Sequence, residues 1–150
     1  MAPAPGCVAR WGSRLPQGGA PVVLAVFSEL MIQSRVEALL GAVGEPVSAL
    51  PPDAAAAAAG LEAAGPTVVV LDLTVAPDVR AAVLEAARRA GSAVIAFGPH
   101  VDAEGFDAAH RAGAVEVLPR GALGHSLVPL VAKHRARLAA GPGMAAPPPT

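Results

Sequence analysis

Four short apolar runs lie along the chain at residues 22–27, 68–73, 93–97 and 115–118, each bounded by turn residues, with a weaker fifth at Val47–Leu50. Their apolar residues are continuous rather than alternating, which predicts strands buried on both faces of a parallel sheet. Between them the spacing becomes helical. Ile32, Val36, Leu39, Leu40 and Val43 repeat as one helix face, with Gly44 as the stop. Asp53 is placed to cap an alanine-rich helix that ends near Gly65 and is weakened by Gly60. Pro77 and Asp78 open a third helix with Val79, Val83 and Ala87 inward, Arg88 and Arg89 in its last turn and Gly91 after it. A shorter helix is expected over 102–112, and a last one over Leu123–Ala140 with Leu123, Leu127, Leu130, Val131 and Leu138 along one side.

This βαβαβαβαβα order, with right-handed crossovers, implies an α/β fold: a doubly wound, five-stranded parallel sheet with helices on both faces. In such sheets ligands meet the carboxyl ends of the strands. Those ends hold Ser28 and Glu29, then Asp72, then Gly98, Pro99 and His100, then Arg120.

Composition limits the rest. The chain has 150 residues, and its ends, 1–20 and 141–150, mix Pro, Gly and small residues without periodicity, so they read as a flexible extension and a flexible tail around one domain at 21–140. Trp11 stands alone in the first of these, where an exposed or loosely packed ring is the expectation. The tail is too short for a nucleic-acid-binding module, and the net charge of -1 gives no basic footprint. Lys133, Arg135 and Arg137 complement the dipole of the last helix. The single cysteine, Cys7, excludes an intrachain disulfide and fits a reducing compartment. No apolar stretch is long enough to span a bilayer, so a cytoplasmic protein is expected.

Candidate chemistry centres on Asp72, an acid at the end of the run TVVVLDL. Ser28 lies at a strand-to-helix junction without the Gly-x-Ser-x-Gly of a nucleophile elbow, and it is expected to cap the first helix. The turn FSELM after the first strand is not glycine-rich, so neither a dinucleotide nor a Walker phosphate site is supported. His100 and Asp102, in GPHVD, could join Asp72 in a small metal or acid-base site, although a surface loop beside a helix cap is the plainer account. His110 and His134 are expected to be solvated or half-buried on their helices.

VVVLDLTVAP, GSAVIAFG and AGAVEVLPR together resemble the third, fourth and fifth strands of response-regulator receiver (CheY-like) domains, and the likeness extends over about residues 21–140. The resemblance implies a flavodoxin-like strand order 2-1-3-4-5. It also makes Asp72 the phosphoacceptor for a histidine kinase, with Mg²⁺ held by Asp72 and an acidic pair ending the first strand. A Thr or Ser ending the fourth strand and a Lys ending the fifth would contact the phosphoryl group. Here the acidic pair aligns with Phe27 and Ser28, the hydroxyl position with Gly98, the Lys position with Arg120 and the aromatic switch position with Val117. Glu29, one residue on, is the remaining candidate for a second metal carboxylate.

These departures describe an atypical, pseudo-receiver chain. The expected function is a stand-alone signalling module, not an enzyme, acting through protein contacts with phosphorylation at Asp72 weak or lost. Its partners would be a histidine kinase, a downstream signalling protein or a second copy, with neither nucleic acid nor a membrane involved. Two other readings remain: a working phosphorelay receiver in which Glu29 and Arg120 substitute for the missing groups, and a ligand binder or enzyme built on Asp72, His100 and Arg120. A structural ion pair between Asp72 and Arg120 is the bland account of the same residues.

Overall fold

The computed structural model describes residues 22–99 and 103–140. The expected extension and tail, with Cys7 and Trp11, and the loop residues His100 and Asp102 lie outside these. The elements run β1 (Val23–Val26), α1 (Leu30–Gly41), β2 (Val47–Leu50), α2 (Ala54–Ala64), β3 (Val68–Asp72), α3 (Pro77–Ala90), β4 (Ala93–Gly98), α4 (Ala103–Arg111), β5 (Glu116–Pro119), a 3-10 turn (Arg120–Ala122) and α5 (Leu123–Ala140). All strand pairs are parallel, and the order is β2-β1-β3-β4-β5, as the resemblance to receiver domains implies.

The buried strands β1, β3 and β4 divide their residues between two cores by the twofold alternation of a strand. Leu24, Val26, Val69, Leu71, Val94 and Ala96 pack with Ala57, Leu61, Val79, Val83 and Ala87 from α2 and α3 and with Ala109 from α4. Val23, Ala25, Val68, Val70, Ile95 and Phe97 pack with Ile32, Val36 and Leu40 of α1 and Leu123, Leu127 and Val131 of α5. Continuous apolar strands are therefore required, because each face meets a helical layer.

Local signals set several boundaries. The Asp53 carboxylate accepts from the Ala56 amide at 2.9 Å, capping α2. Gly91 ends α3 in the left-handed region at φ 79°. Gly60 allows the close approach of α2 to the sheet, since a Cβ there would lie 2.8 Å from Leu50 Cδ2.

Three expectations change. The first helix ends at Gly41, so Val43 falls in the following turn and is 54% exposed. Its N-cap is Glu29, with no side-chain cap bond, so Ser28 does not play the capping role. His134 is buried, with its ring 2.9 Å from Glu116 Oε2. It follows Leu123, Leu127 and Val131 at helical spacing, on the face that packs against the sheet.

Candidate functional site at the carboxyl ends of the strands

Asp72 ends β3 one residue after Leu71, in register with Phe97 of β4. It has no solvent exposure, although it is an acid at a loop mouth. A buried carboxylate needs hydrogen-bond donors, and here they come from two places in the chain. The Thr74 amide donates to Oδ1 at 2.9 Å and the Thr74 hydroxyl at 2.7 Å, an Asx turn closed two residues downstream. The Ser28 amide donates to Oδ2 at 3.2 Å and the Ser28 hydroxyl at 2.9 Å, from the segment between β1 and α1.

An ionised carboxylate offers about four lone-pair sites. Ser28 and Thr74 bring two amides and two hydroxyls within reach of them. The two hydroxyl oxygens also lie 2.6 Å apart, so either one can turn its proton to its neighbour instead. Ser28 and Thr74 are themselves exposed. They form a polar lid over a buried acid.

The other strand ends do not converge on this carboxylate. Among the described residues, no ion pair joins Arg120 to Asp72, which corrects the expectation of a structural pair. Asp72 is occupied by nearer, uncharged donors. Arg120 is half-buried at the start of the 3-10 turn, and its Nε is enclosed without a hydrogen-bond partner. Glu29 is exposed at the head of α1. Phe27 is turned into the core, with its ring centroid 6.3 Å from that of Phe97. Gly98 is packed so closely that an added Cβ would meet Leu73 Cβ at 3.3 Å and Phe106 Cε1 at 3.6 Å. His100 lies outside the described residues.

No protein-family model matches the sequence, and no curated protein matches it. Solved structures do match. The receiver domain of NtrX from Brucella abortus aligns at 19% identity and a TM-score of 0.64 over 76% of this chain and 98% of that one. A longer NtrX structure aligns at 19% identity and a TM-score of 0.65 over 79% of this chain, which spans only 27% of that chain. A CheY-like response regulator receiver domain protein from Methanospirillum hungatei aligns at 14% identity and a TM-score of 0.66, over 79% of this chain and 96% of its own.

The chain has the response-regulator receiver fold. Within that fold the position of Asp72 is the one the sequence resemblance assigns to the phosphoacceptor. The residues present do not fit a magnesium ion there. Mg²⁺ requires a near-octahedral oxygen shell, whereas both Asp72 oxygens already accept from the chain's own donors and a core phenylalanine and a serine stand where the acidic pair is expected. Among the described residues no group of three His, Cys, Asp or Glu side chains is placed to hold a metal.

Sequence reasoning did not assign a role to Thr74 or pair Ser28 with Asp72. The Asp-x-Thr spacing carries an Asx-turn signal that identifies Thr74. Ser28 is 44 residues from its partner, and no local pattern announces that contact.

Proposed function

We propose that this protein is a receiver-fold signalling module that acts through protein contacts, with phosphorylation at Asp72 weak or lost. The observation that carries this reading is the enclosed Asp72 carboxylate, whose lone pairs meet Ser28 and Thr74 rather than a metal and an approaching phosphoryl group. Phosphoryl transfer relies on cations that offset charge as the group moves. Among the described residues no second acid and no cation meets Asp72, and Gly98 carries no hydroxyl, so that stabilisation is lost at several points. The protein is thus a non-enzymatic, cytoplasmic partner of a histidine kinase, a downstream signalling protein or a second copy of itself. The contact surface is α4, β5 and α5, where β5 is an edge strand whose residues are all half-buried.

The test is incubation of the full chain with a small phosphodonor and Mg²⁺, followed by intact mass. The expected result is no stoichiometric addition. Stoichiometric modification that disappears in Asp72→Ala would overturn the reading in favour of a working phosphorelay receiver. One observation favours that second reading: the Arg120 guanidinium has no acid partner among the described residues and stands at the strand ends as an unused cation. Magnesium titration followed at the Ser28 and Thr74 amides discriminates between the two, with saturable shifts expected only for the phosphorelay.

A further inference from the structure

At the opposite end of the sheet, α5 and the starts of β4 and β5 enclose an open cleft of about 500 Å³. That volume lies in the range of small-molecule sites, roughly 300–1,000 Å³. We propose that this cleft binds a small organic monocarboxylate, an anion with an apolar body.

Charge sets the sign of the occupant. Lys133 and Arg137 line the cleft from one face of α5, one helical turn apart. Glu116 is the carboxylate in the lining, and it is already engaged by Lys133 at 3.2 Å and by the His134 ring at 2.9 Å. Arg137 makes no ion pair with any described residue, so no described acid competes with a ligand for its guanidinium. A guanidinium presents a planar fork of donors that matches a carboxylate in two parallel hydrogen bonds.

The cleft also calls for an apolar body. Val115 is 43% exposed, and it lines the same space as Leu138. His134 is held against Glu116 as a fixed wall rather than a mobile side chain. A compact dianion such as phosphate would leave the apolar wall uncovered and would face only one cation not already paired. A monocarboxylate with an aromatic or branched body satisfies both walls. This site is independent of Asp72, since the length of β4, about 17 Å, separates the two ends of the sheet.

The experiment is amide-resolved NMR of the full chain titrated with benzoate, with benzamide and inorganic phosphate as comparators. Saturable benzoate shifts are expected at Val115, Arg137 and Leu138 in the millimolar range. Arg137→Gln should weaken binding about tenfold, the loss expected for one charge-assisted contact. Val115→Ser should weaken it several-fold. Both positions are exposed, so the folded spectrum should persist elsewhere in both variants. The proposal is overturned if benzoate gives no saturable shift, if benzamide or phosphate titrates as tightly as benzoate, or if Arg137→Gln leaves the affinity unchanged.

Discussion

At the carboxyl end of the sheet Asp72 is wholly enclosed by the amides and hydroxyls of Ser28 and Thr74, and at the amino end Glu116 sits half-buried between Lys133 and His134. The first acid is satisfied by neutral dipoles fixed by the backbone, the second by cations on a helix. Neutral donors in a closed shell are screened little by salt, whereas a pair that water still reaches is screened readily. Burial tends to raise the Glu116 carboxyl, but hydrogen bonds from His134 and Lys133, together with their charges, hold it below the ordinary glutamate range. The difference shows how one fold can satisfy one acid with neutral dipoles and another with cations.

Removing the enclosed acid should have the largest effect. Asp72→Ala removes a buried acceptor and the hydrogen bonds that Ser28 and Thr74 make to it, and urea denaturation should show a loss of about 3 kcal/mol. A loss no larger than that of Glu116→Gln would erase the distinction between the two ends. Restoring the family hydroxyl at the fourth strand comes next. Gly98→Thr places a Cβ 3.3 Å from Leu73 Cβ, so it should cost about 1–2 kcal/mol by overpacking without increasing phosphoryl incorporation.

Smaller effects test the lid itself. Ser28→Ala and Thr74→Val should each cost about 1 kcal/mol. Because the hydroxyls are 2.6 Å apart and share one acceptor group, their double mutant should be non-additive by about 0.5 kcal/mol or more. The weakest change at neutral pH is expected for Glu116→Gln, less than about 1 kcal/mol, with sensitivity to salt. Its signature lies in acid. A lowered folded-state pKa contributes stability that is present above the unfolded glutamate range and lost as pH falls through the lowered value. The variant should therefore flatten that part of the stability profile, and an unchanged acid limb would sink the assignment.

Features encoded by neighbours in sequence were the readable ones. The continuous apolar runs located the strands, Asp53 and Gly91 marked helix ends, and the βα count set the layers. Asp72 could be singled out because a carboxylate at a buried strand end needs a reason. Its partners were harder, since Ser28 has a strong local alternative as a helix cap and only the pairing of β1 with β3 brings it to Asp72. Charge attraction suggested Arg120 as that partner, but nearer neutral donors occupy both carboxylate oxygens. The burial of His134 was legible in principle, because helical phase continues from Val131, yet residue type argued for solvent.

The lid on Asp72 uses backbone amides as well as hydroxyls, and both amides lie outside regular strands and helices. Loop amides usually exchange with solvent deuterons quickly, so protected Ser28 and Thr74 amides would stand out against their neighbours. Their exchange rate then counts how often the carboxylate is uncovered. A protein partner, a metal or a phosphodonor that works by opening this end of the sheet must accelerate that exchange before it can reach Asp72.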